Sequence, residues 1–259
     1  MAKVLQAALF DVAPKVGRIP CRVQLGDLWQ VGRHRLLCGD STAAGAVALL
    51  TDGAKVADVL ADPPYGIAYN GDHSRFTAKP SEWWWRTEQH HLIHTKRAAV
   101  MNDTTPFDST PWLAYKRVCL WGAQHYAAAL PAGSWLVWDK RHANGKALLS
   151  DGDMAWLNKG RGVYIFSHVW QGLIRAEPEP HLHPTQKPVR LMMWCLERMK
   201  AGTSVLDPYC GSGPTILACE RTGRTCYAME IDPRHCDKVL WRWQREGGAL
   251  PILLNRQAA

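Results

Sequence analysis

Strands that alternate with helices, each ending in a tight turn, constrain this chain more than any other feature. Between residues 203 and 245 an apolar strand (203–206) leads into Asp207-Pro208-Tyr209-Cys210-Gly211-Ser212-Gly213. A helix follows from Pro214 to Arg221 and stops at Gly223; a strand (225–229) then ends at Glu230, and a last helix runs from Pro233 to Arg245. Proline suits the first turn of each helix, and glycine suits the stop. Upstream, Val56 to Ala61 reads as a buried strand that must end at Asp62-Pro63-Pro64-Tyr65, since two prolines in succession cannot continue a ladder. Further strands are predicted from the turn at 31–34 to Cys38, and at 117–121, 134–138 and 163–169, with helical segments at 43–50, 124–130 and 187–200. This alternation predicts an α/β fold: a doubly wound, mostly parallel sheet covered on both faces.

The 259 residues suffice for one α/β domain with a large core, and 47% hydrophobic against 21% charged residues excludes a disordered chain. An arm at 1–20, carrying Pro14 and Pro20, precedes a main domain at 21–250, and 251–259 reads as a C-terminal tail. The net charge of +8 suits a polyanionic partner, although a basic protein without one fits equally well. None of the eight cysteines forms C-x-x-C, so they read as free thiols in a reducing compartment. No apolar run reaches membrane-spanning length and the first residues do not resemble a secretory signal, so a cytoplasmic location is expected. His90, His91 and His94 lack accompanying ligands, and no metal is expected.

In a parallel sheet, ligands bind beyond the carboxyl ends of the strands. Both unusual turns are placed there. In the downstream turn, Gly211 and Gly213 let backbone approach a ligand closely, and the following helix offers free N–H groups. A dinucleotide fingerprint would want a further glycine where Ile216 stands, and no phosphate-binding G-x-x-x-x-G-K motif occurs. Glu230, one strand later, suits the two hydroxyls of a ribose. These features favour an adenosine ligand without phosphates, though an ordinary strand–helix turn is equally compatible with the glycines alone. The upstream turn is more specific. Its prolines fix the backbone, so the Asp62 carboxylate and the Pro63 carbonyl can be held as preorganised acceptors. An exocyclic amine with two N–H donors is their natural guest. Tyr65 offers a flat face on which a base can stack.

With these turns and His183-Pro184-Thr185-Gln186-Lys187-Pro188 between them, the sequence resembles the permuted, β-class DNA amino-methyltransferases across residues 22–245. It also looks like methyltransferases found beside ParB-type domains in phages and prophages. The resemblance implies a class I, Rossmann-like methyltransferase fold and S-adenosylmethionine as cofactor. It implies Asp62, Pro63, Pro64 and Tyr65 as the catalytic turn holding a flipped base. Asp207, Pro208, Cys210, Gly211 and Gly213 would line the methionine end of the cofactor, and Glu230 would take its ribose. Asp40 would meet the cofactor's adenine, with Thr185 and Lys187 near its carboxylate. Asp at the first position of the catalytic turn implies adenine N6 as the target; cytosine-N4 members more often carry Ser there.

Pro214 and Tyr209 stand where the family commonly has Thr and Phe, and neither removes a required group. A larger departure concerns target reading. Only about a dozen residues separate Phe166–Trp170 from His183, too few for a recognition module of usual size. Residues 66–100, irregular in pattern, are therefore read as a mobile insertion contacting double-stranded DNA. Arg75, Lys79, Arg86, Lys96 and Arg97 would grip phosphates, while Trp83 and Trp84 would wedge or stack during base flipping. The tryptophans would serve equally well as a hydrophobic plug. A short or degenerate site is expected, read by a monomer or homodimer. Rival readings are cytosine-N4 methylation, an RNA or protein-amide methyltransferase, and an inactive DNA-binding protein.

Overall fold

A computed structural model describes residues 22–68, 101–141, 150–171, 174–176 and 185–256. The arm, residues 69–100 of the expected insertion, and His183 and Pro184 lie outside them. In chain order the elements are β1 (Asp27–Val31), β2 (His34–Cys38), α1 (Ala46–Thr51), β3 (Asp58–Ala61), α2 (Thr110–Leu113), β4 (Arg117–Trp121), β5 (Ser134–Asp139), β6 (Gly152–Leu157) and β7 (Val163–Ser167). Then come β8 (Trp170–Gln171), β9 (Ile174–Arg175), α3 (Val189–Arg198), β10 (Ser204–Asp207), α4 (Pro214–Arg221), β11 (Thr225–Glu230), α5 (Pro233–Arg245) and β12 (Ile252–Arg256).

Among the described residues one ten-stranded sheet runs β12-β1-β2-β11-β10-β3-β4-β6-β5-β7. Its centre, from β2 to β4, is parallel throughout. Antiparallel pairing brings in β1 and β12 on one side and β6 on the other. The fold is thus the expected α/β arrangement with a mostly parallel sheet.

The pleat sorts side chains to two faces by strict alternation. Leu36, Leu60, Cys119, Val205 and Ala228 pack with α3, α4 and α5 on one face. Leu37, Val59, Val118, Leu206 and Met229 pack with α1 and α2 on the other. Burying both faces is why these strands read as continuous apolar runs. All seven cysteines among the described residues are buried free thiols, behaving as small core residues.

Three expectations need correction. Residues 252–256, read as tail, form edge strand β12 on β1. The helix expected over 124–130 is instead two short 3-10 turns at Ala123–His125 and Ala127–Ala129. Tyr126 interrupts it, with φ −133 and its hydroxyl donating to the Trp121 carbonyl at 2.5 Å. The sequence reading also lacked β1, which pairs antiparallel with β2, and β6, which enters antiparallel between β4 and β5.

The strand order fixes where a ligand can sit. From β10 the chain passes through α4 to β11 on one side; from β3 it passes to β4 on the other. The crevice at such a reversal, between the carboxyl ends of β10 and β3, is where open α/β sheets bind ligands.

Candidate active site

Both sequence-singled turns open at that reversal, because β3 and β10 are paired parallel neighbours. Asp62-Pro63-Pro64-Tyr65 leaves β3, and the glycine turn leaves β10. Glu230 ends β11, the next strand, and Asp40 follows β2, the strand after that.

The Asp62 turn is held from several sides. The Tyr65 hydroxyl donates to Asp62 Oδ1 at 2.5 Å, and Lys187 Nζ donates to Asp62 Oδ2 at 2.8 Å and to the Tyr65 oxygen at 3.2 Å. Tyr65 stacks one ring face on His125, with centroids 5.1 Å apart and planes at 18°. Gly122 makes room for this ring. It has φ +69, and a Cβ there would lie 1.9 Å from the tyrosine ring. Just downstream, the Gly66 amide donates to Asp103 Oδ1 at 2.8 Å. Burial pushes the Tyr65 phenol far above its ordinary range, and Asp62 and Asp153 push it further, so it remains a donor.

Lys187 stands in a charge cluster. Asp153 of β6 lies 3.9 Å from its Nζ, and Lys140, just after β5, lies 2.7 Å from the same Asp153 oxygen. Burial pulls the Lys187 ammonium down, but Asp62 and Asp153 outweigh that pull and hold it above the ordinary lysine range. Burial likewise raises the Asp153 carboxyl, while Lys187 and Lys140 outweigh it and leave Asp153 below the ordinary range. Lys187, expected near the cofactor's carboxylate, has its ammonium on Asp62. The cause is electrostatic, since a lysine side chain only 4% exposed needs a carboxylate within reach.

The second half of the crevice is built by the glycine turn. Gly213, at φ +76, caps α4, and a Cβ there would come within 2.9 Å of Val239. Glu230 organises the turn through both oxygens. Oε2 accepts from the Gly211 amide at 2.9 Å and Oε1 from the Asp232 amide at 2.9 Å. Asp40 accepts from the Thr42 amide at 2.8 Å and hydroxyl at 2.7 Å. Asp207 is buried, and burial raises its carboxyl to about 7 against the pull of Thr215 and the Tyr209 amide; Asp62 and Glu230 add to the rise. The two turns therefore feel each other's charge.

Other expected residues fall as follows. Pro63 is buried and Pro64 half-buried within the first turn, Pro208 is buried within the second, and Thr185 is half-buried just before α3. Cys210 contributes only backbone to the turn, because its thiol is packed in the core. Arg75, Lys79, Trp83, Trp84, Arg86, Lys96 and Arg97 lie outside the described residues. Sequence reasoning missed Asp153, Lys140, His125 and Gly122. Gly122 carried a signal, as a glycine directly after the apolar run of β4.

Residues 136–240 match a family model described as DNA methylase, of the N6 and N4 amino type. No curated protein matches the chain in sequence. Three solved structures are similar to it. The M1.HpyAVI complex with SAM is 19% identical, covering 80% of this chain and 98% of its own, with a TM-score of 0.46. The cytosine-N4-specific PvuII DNA methyltransferase is 12% identical, covering 87% and 90%, with a TM-score of 0.49. A Thermus thermophilus protein, taken for a DNA modification methylase and complexed with S-adenosyl-L-methionine, is 17% identical, covering 82% and 94%, with a TM-score of 0.43.

Proposed function

We propose that this chain is an S-adenosylmethionine-dependent DNA amino-methyltransferase acting on N6 of adenine, at a short or degenerate site. One observation carries the reading: a diproline turn presenting a carboxylate and a glycine turn backed by Glu230 leave neighbouring strands at the reversal of the sheet. The DNA methylase match over residues 136–240 supports it.

The donor set fits this cofactor. Asp207 offers a buried carboxylate to a ligand that is cationic at its methionine end. Gly211 and Gly213 offer close backbone approach, and Glu230, held by two amides, keeps lone pairs for ribose hydroxyls. When bound, S-adenosylmethionine supplies an electrophilic methyl group.

The chain's own residues prepare the nucleophile. An aromatic amine is weakly nucleophilic because its lone pair is delocalised into the ring. Asp62 and the Pro63 carbonyl accept hydrogen bonds from its two N–H groups and draw the nitrogen toward tetrahedral geometry, which returns the lone pair. The prolines fix the backbone that carries these acceptors before the base arrives. Tyr65, whose ring is steadied by stacking on His125, supplies the aromatic surface for the flipped base. An aspartate in the first position favours adenine over cytosine, on the resemblance described above.

The test is chemical. DNA from cells expressing the protein is digested to nucleosides and analysed by mass spectrometry. N6-methyladenine is the expected product, and N4-methylcytosine in its place overturns the choice of base. Asp62→Ala is expected to lower the transfer rate by about 10²–10³-fold while calorimetric cofactor binding persists. Wild-type turnover in that variant would end the mechanism. Sequencing of modified plasmid DNA is expected to show many short contexts; one long invariant site would refute relaxed specificity.

A further inference from the structure

Both oxygens of Asp62 are already engaged within the chain, Oδ1 by Tyr65 and Oδ2 by Lys187. A target amine that uses Asp62 as acceptor must compete with an ammonium group at 2.8 Å. That ammonium cannot withdraw to water, because the Lys187 side chain is only 4% exposed. Leaving it buried without a carboxylate is strongly unfavourable. Asp153 offers the alternative, with its Oδ2 at 3.9 Å from Nζ against 2.8 Å for Asp62. Lys140 holds this second carboxylate in place at 2.7 Å. Asp62, Asp153, Lys140 and Lys187 together are two anions and two cations, so Nζ can move between the carboxylates without changing the net charge of the cluster.

We propose that Asp153 is a positioning residue that takes over the Lys187 ammonium when the target amine docks on Asp62. The proposal rests on the amino-methylation reading and assigns that site a part which neither turn supplies. The groups facing Lys187 are Asp62 and the Tyr65 hydroxyl from the turn after β3, Lys140 just after β5, Asp153 from β6 and the Cys195 thiol from α3. Asp153 in turn faces Lys140 and His125.

In Asp153→Asn, Lys187 keeps Asp62 as its one carboxylate in the cluster, and Lys140 loses the charge of Asp153. Single-turnover methyl transfer to unmodified plasmid DNA is expected to fall about tenfold or more at neutral pH. Lys187 then loses the attraction of Asp153 while the Lys140 charge still opposes it, so it holds its proton less firmly. Raising the pH is therefore expected to restore part of the rate, as Lys187 gives up its proton and frees Asp62 Oδ2. Asp153→Glu should recover most of the rate, and calorimetric cofactor affinity should be unchanged in both variants. A packing role alone would produce neither the alkaline recovery nor the rescue by glutamate. Wild-type rates in Asp153→Asn, or a loss that ignores pH and persists in Asp153→Glu, would overturn the proposal. If the wild-type protein transfers no methyl to DNA, the functional reading fails instead, so the two failures are distinguishable.

Discussion

Asp207 joins the fold to the chemistry through a single proton. Its carboxyl titrates at about 7 in the folded protein because burial disfavours the charge, whereas the unfolded chain releases that proton near the ordinary carboxylate range. Between those values the folded state holds a proton the unfolded chain has lost, so this group lowers stability as pH rises through the window, with the effect complete above it. A cationic ligand favours the ionised form. Cofactor affinity is thus expected to strengthen by about tenfold from pH 6 to pH 8, with proton release, and Asp207→Asn should flatten the profile in calorimetry. The two turns, carrying Asp62, Tyr65, Gly211 and Gly213, were legible as strand ends because turn chemistry is local: proline and glycine announce where a strand stops. The pairing of Lys187 with Asp62 was not legible. It spans 125 residues, and no local pattern specifies which carboxylate a buried ammonium will find. Asp153 was hidden for a related reason, since its strand enters the sheet antiparallel and out of chain order.

At the scale of elements, one buried carboxylate ties three strands together at the rim opposite the site. Asp58 opens β3 with a fully buried side chain. It accepts from Arg117 Nε of β4 at 2.5 Å and Nη2 at 3.0 Å, and from the Gly202 amide ahead of β10 at 2.5 Å. Asp58→Asn leaves the guanidinium without its charge partner, and a loss of about 3–5 kcal/mol is expected. Urea unfolding checks this: the midpoint should fall while the slope stays constant. The elements of the parallel centre were read correctly because both of their faces are buried, which writes long apolar runs into the sequence. Strands β1, β6 and β12 were not. β12 is an edge strand whose Ile252 and Leu254 remain exposed, so its composition does not separate it from a tail. The helix expected over 124–130 failed because tertiary contact outweighed propensity. The Tyr126 hydroxyl on the Trp121 carbonyl fixes a backbone geometry that an α-helix cannot share.

For the whole molecule, the net charge of +8 gives the proposed DNA contact its strength. Neutralised phosphates release counterions, so affinity for duplex DNA is expected to fall by at least about tenfold between 50 and 200 mM salt in fluorescence anisotropy. A flat response would remove the electrostatic share of binding. The order of strands carries a further consequence for how the molecule is made. β2 and β3 are joined into one sheet only when β10 and β11 arrive, more than 140 residues after β3, and slot between them. Until then the facing edges of β2 and β3 are two unfinished margins of sheet, and the Asp62 turn lacks its partner across the crevice. The last third of the polypeptide is the keystone, and long-range closure of this kind makes for a slow final step in folding.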